Sequence, residues 1–303
     1  MLSSFRTGGP IMVQIIGFLI VLVVVFGGLL ISGGPAIMTA LPFEMALIGS
    51  AAFGTLLIGN APTVVRRAIG GFAVSVKGAK WSQADYTDLL QTLHELTRRA
   101  RRGGIIAIEA DIEAPEESAL FQANPRLLAD PSAISLICDS FRLMALDPSA
   151  LARTDIRMEE TIAGIVEERQ RAVGALHTLA DALPALGIVA AVLGIIKTMG
   201  VIDQSPAILG EMIAAALLGT FLGVFLAYGL VGPVASRFGQ VVDEEATYLD
   251  TIRSVIASYA QGLAPRTSVE LARSALPTQL RPDIAELDQA LVVSRLPQPR
   301  AVA

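Results

Sequence analysis

The sequence predicts an all-α membrane protein: four transmembrane helices, a large helical cytoplasmic segment between spans 2 and 3, and long cytoplasmic extensions of spans 3 and 4. Three observations predict it. Of the 303 residues 53% are hydrophobic and only 17% charged, whereas a soluble domain carries about a quarter charged residues. The apolar residues gather into two pairs of runs, one near the start and one past the middle, the pattern of a membrane protein with a sizeable water-exposed part. The basic residues avoid two short connections altogether, which fixes an orientation.

Residues 1–12 form an N-terminal extension, with Met12 a second candidate start. No charged residue lies between Arg6 and Glu44, and 13–31 is the first span; nineteen residues at about 1.5 Å rise cover roughly 28 Å of a bilayer core about 30 Å thick. A cleaved signal peptide fits less well, because the apolar part is too long and no small-residue cleavage site follows it. Residues 45–65 are also uncharged and give a second span at 43–61. Spans 3 and 4 are expected at 183–202 and 211–233, and 234–303 is a C-terminal helix and tail.

Of 23 Lys and Arg residues, one is Arg6, fourteen lie between Arg66 and Arg171, one is Lys197 and seven run from Arg237 to Arg300. The connections at 32–42 and 203–210 contain none. By the positive-inside rule both termini and the segment 62–182 are cytoplasmic, in a multi-pass membrane protein.

Within 62–182, Ser82 and Asp85 make a capping pair ahead of a helical stripe of Tyr86, Leu89, Leu90, Leu93 and Leu96. That helix ends in Arg98, Arg99, Arg101 and Arg102, cations where the helix dipole favours them, before Gly103-Gly104. An acidic stretch from Glu109 to Glu117 follows. A further helix starts at Asp130-Pro131. From Thr154 a helical pattern runs into span 3, and after span 4 another continues to Tyr259. The tail from Ala264, with Pro265, Pro277, Pro282, Pro297 and Pro299, reads as looser and partly disordered.

Small residues mark spans 3 and 4. Ala215, Gly219, Gly223 and Ala227 repeat every four residues, and Gly187, Ala191 and Gly194 fall at helical spacing. Such stripes let backbones approach closely, within one monomer or across subunits. Spans 1 and 2, rich in Val, Leu and Ile, suit the lipid side. An ion path needs an ionisable group at depth, and the middle of every span lacks one. Glu44 and Glu211 fall near outer ends, Asp181 near an inner end and Lys197 towards the outer side; Glu44 is expected as a satisfied end-cap. Thr220 either faces the ion path or bonds back to its own helix. Pro184 and Pro233 permit kinks, either as fixed bends or as joints that move when a neighbouring charge changes. If protons cross here, the titrating carboxylate is expected from another chain.

The single cysteine, Cys138, excludes an internal disulfide. His94 and His177 lack neighbours at ligand spacing, so neither a metal nor a cofactor is expected. No Ser-His-Asp, Cys-His or phosphate-loop pattern points to an enzyme, and no nucleic-acid partner is expected.

The runs DALPALGIVAAVLGIIKTMG (181–200) and LLGTFLGVFLAYGLVGPVA (217–235) resemble spans 3 and 4 of MotA proteins. PFEMALIGSAAFGTLLIGN (42–60) is similar to their second span, and RARRGGIIAIEADIEAPEESALFQANPRLLAD (99–130) to their cytoplasmic loop. The likeness extends from about Met12 to about residue 290. It implies a stator subunit of the bacterial flagellar motor, five copies around a MotB dimer whose membrane Asp carries H+. It implies that Pro184 and Pro233 match prolines tied to conformational coupling, and that Thr220 matches a threonine near the ion path. Arg101 and Glu109 match the charged pair that engages the rotor protein FliG, with Arg98, Arg99 and Arg102 extending the contact; topogenic charge alone is the bland alternative for that cluster. Sodium-driven relatives such as PomA have threonine where this chain has Ala191, which points to protons. Lys197 and Glu211 depart from the pattern. The rival readings are a TolQ or ExbB energiser of a periplasmic partner, which resembles a three-span layout, and a membrane scaffold without transport.

Overall fold

A computed structural model describes residues 10–32, 35–146 and 151–293. Residues 1–9 of the N-terminal extension lie outside them, as do 294–303 with Pro297 and Pro299. Among the described residues the regular structure is entirely helical. In chain order the helices are α1 (Pro10–Ser32), α2 (Pro35–Gly59), α3 (Pro62–Lys77), α4 (Gln83–Gly103), α5 (Glu109–Glu113), α6 (Ala119–Gln122), α7 (Pro125–Leu128), α8 (Pro131–Leu146), α9 (Leu151–Met199), α10 (Pro206–Phe225), α11 (Gly232–Ala260), α12 (Pro265–Ala275) and α13 (Ile284–Val293). A 3-10 turn, Ile105–Ile108, precedes α5, and a π-helical turn, Leu226–Val231, joins α10 to α11. Four stretches are long and apolar enough to cross a membrane: Met12–Ile31, Ile37–Gly59, and parts of Arg153–Met199 and Pro206–Ala260.

The chain forms two compact units, Met1–Gly78 with Glu168–Val242, and Ala79–Glu167 with Asp243–Ala303. α9 and α11 contribute to both.

In the first unit α2 packs along α10, and α1 and α2 both touch α3. The core is Ile48, Ala52, Ala180, Leu183, Ala190, Leu218, Leu222, Ala227 and Val231. Phe26 of α1 meets Phe225 of α10 edge to face, centroids 5.5 Å apart. α3 lies against α11 so closely that a side chain at Gly71 would begin 2.7 Å from the Phe238 ring. There the Ser75 hydroxyl reaches the Val234 carbonyl at 2.9 Å. Two expectations are corrected. The connection 32–42 is not a loop at its far end: α2 begins at Pro35, whose missing N–H costs nothing at a first helical position, and Pro42 lies inside it. Nor is α2 purely lipid-facing, because Glu44, Ile48, Ala52 and Leu56, each four residues on, are buried.

The second unit is built on α4. The Ser82 backbone N–H donates to the Asp85 carboxylate at 2.7 Å, and Arg126 donates to the same carboxylate at 2.6 Å. Tyr86, Leu89, Leu90, Leu93 and Leu96 are fully buried. Trp81 stacks on Tyr248 of α11, centroids 3.8 Å apart, and Tyr86 meets Tyr248 edge-on at 5.3 Å. Burial raises both tyrosine pKa values, with nearby carboxylates adding to it. Arg253 of α11 donates to Asp155 of α9 at 2.7 Å. As far as Val293 the tail is not loose: α12 and α13 pack on α4, with Val269, Ala272, Leu276 and Leu287 in the core. Burial pushes the Cys138 thiol up to about 11, a buried, inert thiol.

Asp130 caps α8, accepting from the Ala133 N–H at 3.0 Å and pairing with Lys80. Burial alone would raise its pKa, but the Lys80 and backbone hydrogen bonds outweigh that and hold it below the usual carboxylate value. A depressed folded-state pKa stabilises at pH above the unfolded value of about 3.9 and is lost as pH falls below it. Asp130→Ala should lower stability by roughly 1–2 kcal/mol at neutral pH, with the difference from the parent shrinking in acid. Fluorescence of Trp81, the single tryptophan, during denaturant unfolding at neutral pH and in acid measures it.

Candidate functional site

Two sets of residues carry the functional reading, one in each unit.

In the first unit, α9 and α10 meet backbone to backbone. A side chain at Gly187 would begin 2.7 Å from the Gly219 carbonyl oxygen and 3.1 Å from the Gly223 Cα. One at Gly223 would begin 2.6 Å from the Leu183 carbonyl oxygen and 2.9 Å from the Gly187 Cα. One at Gly194 would meet Ala216. Within the chain the two small stripes pack against each other. Gly219, Gly223 and Ala227 are buried, whereas Ala215 is half-buried and Ala216 takes the place opposite Gly194. Ala191 is buried, its backbone nitrogen 3.4 Å from where a Gly219 side chain would begin.

Thr220 is half-buried beside this seam, its Cα 3.3 Å from the position a Gly187 side chain would take. Its hydroxyl makes no hydrogen bond among the described residues. Thr178 and Thr198 of α9 do bond back, to the carbonyls of Gly174 and Gly194. The back-bonding reading of Thr220 is therefore not what the structure has.

Pro184 lies inside α9, which continues through it, and is half-buried. Pro233 is the second residue of α11, immediately after the π-helical turn. That turn shifts the hydrogen-bonding partner by one residue next to a residue that has no N–H to give. Pro233 also lines an apolar cavity of about 520 Å³ with Phe18, Val21 and Phe72.

Glu44 overturns an expectation. Instead of capping a helix end it sits nine residues in from Pro35, within the body of α2, and is 8% exposed. Its Oε2 is buried without a hydrogen-bond partner and lies 3.1 Å from the position a Gly219 side chain would take. Lys197 and Glu211 are both exposed.

In the second unit the arginine cluster divides. Arg98 grips the buried Glu95 with two hydrogen bonds of 2.9 Å. Arg99 bonds Glu95 at 3.0 Å and Asp111 at 3.1 Å, tying α4 to α5. Arg101 is exposed and donates to the Gly262 carbonyl at 3.2 Å. Arg102 and Glu109 are exposed and make no ion pair among the described residues. Arg101 and Glu109 do not pair with each other. Nearby, burial first and the Arg98 charge second lower the His94 pKa. Among the described residues no three His, Cys, Asp or Glu side chains gather to hold a metal ion.

Four membrane-length helices, two of them packed along glycines, together with a second helical unit define a multi-pass membrane protein. Residues 15–104 match the family Motility protein A N-terminal, and residues 136–251 match the MotA/TolQ/ExbB proton channel family. The chain is 34% identical to Motility protein A of Escherichia coli (strain K12), covering 95% of this chain and 97% of that one. It is 33% identical to Chemotaxis protein LafT of Vibrio parahaemolyticus, covering 92% and 98%. Its fold matches the C. jejuni MotAB structure with a TM-score of 0.68 at 20% identity, over 87% of this chain and 95% of that one. The flagellar MotAB stator complex of Bacillus subtilis matches with a TM-score of 0.66 at 22% identity, over 87% and 95%. The chain belongs to the MotA/TolQ/ExbB proton channel family.

Gly187→Val should force α9 and α10 apart, because the clashing atoms are backbone, at a cost of about 1–3 kcal/mol. Gly164, elsewhere in α9, has open space where a side chain would begin, so Gly164→Ala should be neutral or stabilising by up to about 1 kcal/mol. Thermal unfolding of both proteins in detergent tests the contrast.

Proposed function

We infer that this chain is a stator subunit of a bacterial flagellar motor, which with MotB conducts protons across the inner membrane and turns that flow into torque. The observation that carries the reading is 34% identity to a curated Motility protein A over 95% of the chain. The match over 15–104 includes the first two membrane helices, which favours a stator over a TolQ or ExbB energiser. Both termini and residues 62–182 lie in the cytoplasm, in keeping with the distribution of Lys and Arg.

Five copies surround a MotB dimer, whose membrane Asp carries the proton. The surface offered to the rotor protein FliG is Arg101, Arg102 and Glu109. Arg98 and Arg99 serve mainly to lock α4 onto Glu95 and Asp111. Pro184 and Pro233 are the joints through which a change of charge bends α9 and α11. Ala191 on the seam leaves no hydroxyl to coordinate sodium, which favours H+.

Co-expression with a one-span partner that carries a membrane Asp, in cells lacking their own stators, should restore sodium-independent swimming. In such cells Arg101→Glu should weaken motility, with partial rescue by a reversed charge on FliG. Unimpaired swimming after reversal of both Arg101 and Arg102 would remove the rotor contact. Pro184→Ala should assemble with its partner but give no torque, read from tethered-cell rotation; full stall torque would make the proline a fixed bend.

A further inference from the structure

We propose that Glu44 is a proton-holding group of this chain's own, placed where α2, α9 and α10 meet. It lies seven residues in from Ile37, the first residue of its membrane stretch, about 10 Å along the helix. The point where a Gly219 side chain would begin is 3.1 Å from the Glu44 Oε2, 3.0 Å from the Ala190 Cβ and 3.4 Å from the Ala191 nitrogen. Glycine at 219 thus leaves the space that the carboxyl fills. The occupant is nine-tenths buried, and its Oε2 receives no donor.

An ionised carboxylate only accepts hydrogen bonds and is costly to bury without a donor or a cation. Neither is at hand. α1 and the rest of α2 carry no charged residue, and the ionisable groups of the facing helices are distant along their axes. Lys197 is six residues from Ala191 and Glu211 eight from Gly219, roughly 9 and 12 Å; Asp181 is ten residues from Ala191, roughly 15 Å. The site therefore favours the neutral acid, which carries a proton that it can release. Glu44 takes that proton from hydronium and gives it to a carboxylate presented by a second chain. The O–H bond on Glu44 breaks as one forms on the acceptor, and hydronium then restores the Glu44 acid. Carbonyls and small side chains alone could pack this junction; an unpaired acid there gives it proton chemistry.

The inference rests on the proton-channel reading, and two measurements keep the two apart. The first is the infrared carbonyl stretch of protonated carboxyls in the full chain in lipid nanodiscs at neutral pH, which needs no conduction. The parent protein should show a band that is missing in Glu44→Gln and shifted in Glu44→Asp; identical spectra for parent and Glu44→Gln overturn the proposal. The second is proton flux into vesicles containing the complex with its one-span partner. Glu44→Gln, which keeps the shape but cannot titrate, should assemble normally and lower flux on the order of a hundredfold, with partial recovery in Glu44→Asp. Undiminished flux in Glu44→Gln overturns the relay. A parent complex that passes no protons sinks the channel reading and the relay with it, while the infrared band still decides whether Glu44 holds a proton.

Discussion

The absence of side chains between α9 and α10 is the constraint on which the membrane unit depends. Inside a bilayer no hydrophobic drive brings two apolar helices together, so close van der Waals packing must do it. Gly187, Gly219 and Gly223 let carbonyl oxygens and Cα atoms of opposite helices come into direct contact. That contact leaves no room for a side chain on either helix at those three positions. α2 then lies along α10, with Ile48 and Ala52 in the core that residues of α9 and α10 share.

The second unit is held differently, by aromatic stacking and charge. Trp81 lies flat on Tyr248 and carries Lys80 and Arg126 near its outer face. Those same cations satisfy Asp130 and Asp85, the carboxylates that begin α8 and α4. Helix starts and aromatic core are thus parts of one network, which couples residues far apart in sequence.

Much of this was legible in the sequence, because the signals are local. Membrane helices announce themselves by length and by lack of charge, α4 by Ser82 and Asp85, the α9–α10 seam by glycine spacing. The failures share a physical cause in proline. The stretch 32–42 was read as a connection and Pro265 as part of a loose tail, yet α2 and α12 start on Pro35 and Pro265, as α1, α3, α7, α8 and α10 start on Pro10, Pro62, Pro125, Pro131 and Pro206. A first-turn proline loses no hydrogen bond, and the distinction depends on packing further along. Glu44 was misjudged for the same reason: a span begun at 43 leaves it at an end, whereas a helix begun at Pro35 carries it inside. The division of the arginine cluster was not legible either, since nothing local says that Glu95 is buried.

The π-helical turn at Leu226–Val231 settles a problem of phase. The buried residues Gly219, Gly223, Ala227, Val231 and Ala235 advance in steps of four. In an unbroken α-helix, sixteen residues at 100° each would leave the last about 160° out of azimuth with the first. One wide turn, with its extra residue, takes back about 100° of that drift. The interruption therefore keeps a straight row of contacts on one side of a helix whose own pitch would have wound that row around to the back.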